Sequence, residues 1–195
     1  KNCKQYKGKT KMAITSKRIA LSNVRLSFPS IFHRAEFKGG AEKQNSKPKF
    51  EATFLFPKET KEGKALHAQI LGIINDLVTE SEKKIPASKW ALKDGDEVDY
   101  DGYEGQWSIK ASSTRRPTVI DRDKTPLTED DEKIYAGCYV NAIVDFWVQD
   151  NEFGKRVNAN LYGIQFVKDG EEFGAGSVDV TDDFAELSED DFDFK

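Results

Sequence analysis

YAGCYVNAIVDFWVQD (135–150) and KRVNANLYGIQFVKD (155–169), joined by the four residues NEFG, decide the fold of this chain. Apolar residues recur at every second position, as Val140, Ala142, Val144, Phe146 and Val148 in the first arm and Val157, Ala159 and Leu161 in the second. A period of two puts alternate side chains on opposite faces of an extended backbone, and two such runs across a short connection predict an antiparallel hairpin. One face of it reads as core. The other combines Tyr139, Asn141, Ile143, Asp145 and Trp147 with Arg156, Asn158, Asn160 and Tyr162. Ordinary cross-strand pairs on a solvated face account for that mixture about as well as ligand binding does.

Further strands lie upstream. GQWSIKASS (105–113) is one, and PTVID (117–121) is expected to continue it or pair with it. Near the start, Ile19, Leu21, Val24, Leu26 and Phe28 follow a period of about two with one slip near Asn23, which predicts a bulged strand ending at Pro29 with Phe28 in the core. A polar loop over 30–48 leads to Phe50, Ala52, Phe54 and Phe56, a strand stopped by Pro57. Between 59 and 83 the period lengthens, and Leu66, Ile70, Ile73, Ile74, Leu77 and Val78 mark one face of an amphipathic helix. KIPASKWALKDGDEVDYDGYEG (84–105) reads as a long functional or irregular loop. Strands of this length with a single helix predict a mainly β protein, an OB-type five-stranded Greek-key barrel with one inserted amphipathic helix. An open antiparallel sheet packed on the helix is the alternative.

The totals narrow the class. A chain of 195 residues suits one domain with an appendage, and an aromatic fraction of 11% with a single Met and a mean hydropathy of −0.66 favours strands over a helical bundle. Cys3 and Cys138 stand far apart, so no disulfide framework is expected and a reducing cytoplasm suits the chain. His33 and His67 are the only histidines and no ligand spacing surrounds them, so neither a metal nor another cofactor is expected. No run of 18 apolar residues and no apolar signal region occur, which argues against a membrane role.

Charge is distributed unevenly. Residues 179–195 hold eight acidic residues against Lys195 alone, leaving 29 basic and 26 acidic residues in positions 1–178. Few apolar groups accompany those charges, so 179–195 is expected to stay a disordered tail. The lysine-rich residues 1–16 read as a flexible leader, of which 1–11 precede a natural-looking start at Met12, and 17–178 read as the folded domain. Positions 1–49 contain thirteen Lys or Arg against Glu36 and Glu42, so the amino-terminal half is strongly basic.

Single-stranded nucleic acid is held by cations along its backbone and by rings on which unpaired bases stack. Three clusters interleave these types. One runs through Tyr100, Tyr103, Trp107, Lys110, Arg115, Arg116 and Arg122; Trp107 and Lys110 fall on opposite faces of a regular strand, and a core position for Trp107 is an even alternative. The second is the polar hairpin face with Tyr139, Trp147, Arg156, Asn158 and Tyr162. The third includes Arg25, Phe32 and Arg34, with Phe32 and Phe37 as candidates for a mobile clamp. Catalytic motifs are lacking: there is no GxxxxGK[ST], GxSxG or HExxH, and Asp121, Asp123 and Asp145 are more simply read as turn and strand residues than as the metal ligands of a nuclease.

IALSNVRLSFPSIF, FEATFLFPK, GYEGQWSIKASSTRRPTVIDRDKTPL and the hairpin itself resemble the phage-encoded single-stranded DNA-binding proteins of the OB-fold type over about residues 13–178. The resemblance implies a non-enzymatic protein that coats single-stranded DNA in replication or recombination. It also implies that an acidic tail ending in an aromatic competes with DNA for the basic groove and recruits replication or recombination partners; here that tail would act through Asp182, Asp183, Asp190, Asp191, Phe192, Asp193 and Phe194, although Lys195 follows the final ring. A homodimer is compatible with this picture. Strand annealing, or an inhibitor or adaptor that uses the tail without binding DNA, are the rival functions.

Overall fold

The computed structural model describes residues 14–35, 47–151 and 154–174. Seven strands form one sheet: β1 (Ile19–Ala35), β2 (Lys49–Pro57), β3 (Leu92–Asp94), β4 (Gln106–Ser113), β5 (Thr118–Ile120), β6 (Tyr139–Asn151) and β7 (Gly154–Lys168). Five of them close into a barrel in the order β1-β2-β4-β7-β6 and back to β1, the Greek-key arrangement expected of an OB-type fold. Closure depends on β1, which pairs with β6 from Ile19 to Arg25 and with β2 from Arg25 to Ala35. The barrel shuts where β4 meets β7 in parallel at Ala111↔Ala159 and Ser112↔Asn160.

The alternation seen in the hairpin becomes burial. Val140, Ala142, Val144, Phe146 and Val148 of β6 and Val157, Ala159 and Leu161 of β7 all lie in the core, facing Leu21, Leu26, Phe54 and Phe56. Beyond Leu161 the parity changes, because Tyr162 is an extra residue opposite the step from Ile143 to Val144, and Ile164 and Phe166 then take the inward positions. Asp145 belongs to the outward set by spacing but is 3% exposed.

Among the described residues one α-helix, α1 (Lys61–Glu80), lies between β2 and β3 in the chain and packs against β6 and β2. Thr60 starts it by accepting the Gly63 N–H at 3.0 Å, satisfying one of the free amides of the first turn. Gly63 is required there, since a Cβ would fall 1.8 Å from the carbonyl oxygen of Pro57. Ile70, Ile74 and Leu77 form the buried stripe, as the period of the sequence implied.

Four expectations are corrected. β1 does not end at Pro29 but continues to Ala35; a second bulge between Ser27 and Ser30 accommodates the proline, which lacks a ladder donor. Phe28, expected in the core, is 55% exposed. The 118–120 strand neither continues nor pairs with β4: it lies parallel to β7, Val119 opposite Ile164. The irregular stretch 84–105 holds β3 and 3-10 turns at Ala87–Lys89 and Gly95–Glu97.

Candidate nucleic-acid interface

The outer face of β1, β2 and β4 carries a groove of about 840 Å³. Its first ring comes from β1. At the second bulge Phe28 has φ 47°, the left-handed region, and its ring projects outward. For a phenylalanine that conformation costs about 1–3 kcal/mol. Tyr100, from the segment between β3 and β4, is 54% exposed and meets Phe28 edge-on at 5.3 Å and 73°. Tyr103 supports both, 5.3 Å from Tyr100 and 6.4 Å from Phe28, with its hydroxyl donating to Ser27 at 3.3 Å. The fourth ring, Phe173, lines the same groove. Its backbone N–H donates to the Ala136 carbonyl at 2.9 Å, and the guanidinium of Arg25 lies 4.1 Å over the ring. Arg25 also donates to the Glu171 carbonyl at 2.6 Å, and Phe173 packs so tightly on Gly102 that a Cβ there would lie 2.0 Å from the ring.

Cations lie in and beyond the groove. Lys110 projects from the outer face of β4 and pairs with Glu51 at 2.8 Å. Three residues on, about 10 Å by strand rise, β4 runs into the turn bearing Arg115 and Arg116, both exposed. Arg34 of β1 donates to the Thr114 carbonyl at 3.2 Å, and Arg116 lies 5.7 Å from the centre of the Phe32 ring. Two clusters far apart in sequence, 25–34 and 110–116, thus lie on β1 and β4, the two neighbours of β2, and meet where Arg34 reaches Thr114. The 96–104 segment that carries Tyr100 is acidic, with Asp96, Glu97, Asp99, Asp101 and Glu104, and Asp101 lines the same groove as Lys110. Lys58 bridges Asp94 and Asp96, and its hydrogen bond holds the Asp96 carboxyl below the usual carboxylate range.

Other expected contact residues are engaged elsewhere. Tyr103, placed in the interface from sequence, is 4% exposed and acts as a pillar, its phenol pushed up in pKa first by burial. Trp107 packs partly against the core from the face opposite Lys110; His67 stacks on it at 4.1 Å and 20°, and the Lys58 ammonium lies 4.9 Å from the ring. Tyr139 lies between Arg25, at 5.7 Å, and Lys168, at 4.5 Å, and lines a separate cleft of about 700 Å³ beside the first turn of α1. Trp147 is half-buried opposite Thr15, where residues 14–16 run beside β6.

On the hairpin, Tyr162 donates to Asp145 at 2.6 Å, Asn160 does so at 2.7 Å, Asn158 donates to Gln149 at 2.9 Å, and Arg18 covers the Tyr162 ring at 3.9 Å. The Asp145 carboxylate raises the Tyr162 pKa. Arg156 is exposed, and Arg122 is exposed with its guanidinium 5.9 Å from the centre of the Phe166 ring. Cross-strand pairing therefore accounts for most of the hairpin's polar face. Phe37 and the tail residues Asp182, Asp183, Asp190, Asp191, Phe192, Asp193 and Phe194 lie outside the described residues.

The sequence reading missed Phe28 and Phe173. For Phe28 the available signal was the proline after it, since a proline in an interior strand marks a bulge beyond which alternation no longer assigns faces.

Comparison with known proteins gives consistent results. The family model described as Enterobacter phage Enc34, ssDNA-binding protein, matches residues 17–194. Putative protein p50 of Acyrthosiphon pisum secondary endosymbiont phage 1 is 40% identical over 179 residues, spanning 88% of this chain and 94% of its own. The solved single-stranded DNA-binding protein from bacteriophage Enc34 is 32% identical with a TM-score of 0.70, covering 88% of this chain and 98% of that one. The same Enc34 protein in complex with ssDNA is 31% identical with a TM-score of 0.66, covering 84% and 99%. Bacteriophage T7 gp2.5, a single-stranded DNA-binding protein, shares the fold at 12% identity and a TM-score of 0.51, covering 88% and 97%.

Proposed function

The chain belongs to the phage Enc34 single-stranded DNA-binding protein family, a non-enzymatic family, and from that premise we propose that it coats and protects single-stranded DNA, without reading sequence, during phage replication or recombination. The observation that carries this reading is a groove on the outer face of the barrel lined by exposed rings and Lys110, with Phe32, Arg34, Arg115 and Arg116 gathered at the end of β4, in a fold whose Enc34 relative has been solved with ssDNA. Binding proceeds by electrostatic capture, in which the cations release counterions from the strand, followed by stacking of bases on the rings.

The tail has the second role. Phe173 and Gly174 line the groove, and the acidic segment 179–195 follows them in the sequence. It competes with DNA for the cations there and recruits replication or recombination proteins when DNA displaces it. The test is titration of a labelled oligothymidylate with the full chain, a chain starting at Met12 and a chain lacking 179–195. Retained affinity without residues 1–11 and tighter binding without the tail are expected. An unshifted oligothymidylate would overturn the DNA-binding reading, and equal affinity of the tailed and tailless chains across low and moderate salt would overturn competition.

A further inference from the structure

We propose that the strap leaving β7, residues 169–174, is an autoinhibitory latch. Seated, it stands between the groove of about 840 Å³ and the cleft of about 700 Å³ beside α1 and keeps Arg25 occupied; single-stranded DNA lifts it, which joins the two cavities and frees Arg25 for a phosphate. The inference rests on the DNA-binding reading. It is separate from competition by the acidic tail, because it needs only the strap and its seat.

The seat is specific. Tyr135 holds the root of the strap, its hydroxyl donating to Asp169 at 3.0 Å and accepting the Gly170 N–H at 3.1 Å. Farther along, the Phe173 N–H donates to the Ala136 carbonyl at 2.9 Å and the Gly174 N–H to the Asp101 carboxylate at 3.0 Å. The approach is so close that a Cβ on Gly137 would fall 2.0 Å from the Glu171 carbonyl oxygen, as one on Gly102 would from the Phe173 ring. Yet the strap contributes no residue to the hydrophobic core, and Glu171, Glu172 and Gly174 are exposed. A segment held by a few surface hydrogen bonds and one half-buried ring can open locally while the barrel stays folded.

Arg25 is what the latch withholds. Its guanidinium stands between two rings, 4.1 Å from the centre of Phe173 in the groove and 5.7 Å from that of Tyr139 in the cleft, and it donates to the carbonyls of Glu171 and Gly137. Both acceptors are neutral. A phosphate offers the guanidinium a full negative charge and a bidentate geometry, so it displaces them once the strand is in place. With the strap lifted, Arg25 links the groove to Tyr139 and to Lys168, whose ammonium lies 4.5 Å from the Tyr139 ring, and the path for the strand lengthens.

Hydrogen exchange of the full chain, read by mass spectrometry with and without an oligothymidylate, tests the latch with no variant. The peptide carrying the Gly170, Phe173 and Gly174 amides is expected to exchange faster when the oligonucleotide is bound, while β2 and β6 do not. A fixed wall that DNA merely touches would become more protected instead. In parallel, anisotropy titrations of a fluorescein-labelled oligothymidylate compare variants whose melting temperatures are also measured. Phe173→Ala is expected to bind about five-fold tighter than wild type, because DNA no longer has to break the cation–ring contact. Arg25→Ala unlatches as well but lacks the phosphate ligand, so it is expected to bind more weakly, with a logarithmic salt slope lower by about 0.7. Slower or unchanged exchange of the strap on binding, or a folded Phe173→Ala no tighter than wild type, would overturn the latch and leave DNA binding intact. A wild-type slope in folded Arg25→Ala would overturn the release of Arg25 to phosphate. Failure of wild type to bind would instead overturn the functional reading beneath both.

Discussion

Trp107 shows how one residue can satisfy a pattern and serve another purpose. Its spacing from Lys110 correctly placed the two on opposite faces of β4, but the inward face is where His67 of α1 stacks at 4.1 Å. Burial pushes the His67 pKa below its ordinary 6.5, because the charged imidazolium would lose water against the indole. The unfolded chain therefore binds more protons than the folded one as pH falls below 6.5, and the stability tied to this pair, whole above that value, is lost as pH drops through the lower folded value. The carboxylates held low, Asp96, Asp121, Asp123 and Asp131, contribute only nearer their ordinary 3.8. The melting temperature is expected to fall between pH 7 and pH 5, and His67→Phe, which keeps the stacked ring without the titration, should flatten that fall. An unchanged slope in the variant would place the titration elsewhere. Phe28 is the residue that side-chain period alone misplaced, since the bulge that exposes it changes the alternation only after it has occurred, and Pro29 was the one local sign of it.

Elements were legible to the degree that local pattern determines them. β2, α1 and the β6–β7 hairpin follow from period and punctuation, and the bulge at Asn23, at φ 53°, was visible as a slip in the alternation. The partner of β5 was not, because pairing of three residues, Thr118–Ile120, with β7 is decided by barrel closure rather than by anything in the strand itself. The self-pairing of the hairpin's polar face depends likewise on Arg18 and on residues 14–16, remote in sequence from Tyr162 and Trp147. For α1, fully buried Ile74 gives the sharpest test of packing. Ile74→Ala should cost about 2–5 kcal/mol, the loss of transfer energy plus a cavity that close packing cannot collapse. Urea unfolding would show it as a lowered midpoint with an unchanged slope, and a loss under 1 kcal/mol would mean that the helix relaxes into the space.

At the scale of the whole molecule, net charge concealed the arrangement that matters. A total of −4 describes neither the Arg34–Arg116 flank nor the acidic 96–104 segment beside the groove. Affinity for single strands should fall linearly with salt on logarithmic axes by about 0.7 per phosphate neutralised, and Lys110→Ala should reduce that slope by about one such increment without changing preference among oligothymidylate, oligocytidylate and mixed sequence. An equal slope in the variant would remove Lys110 from the phosphate path.

The β4–β7 junction gives the fold a place of uneven strength. Its direct pairing spans two residues on each strand, while Trp90, opposite Val157, and Leu92, opposite Ile109, begin a wedge that parts the strands beyond it. The long β6–β7 and β2–β4 ladders have no comparable gap. The cylinder is thus expected to unzip along this seam before it melts anywhere else, with amide protons of 110–112 and 157–160 exchanging ahead of those at the centres of β2 and β6.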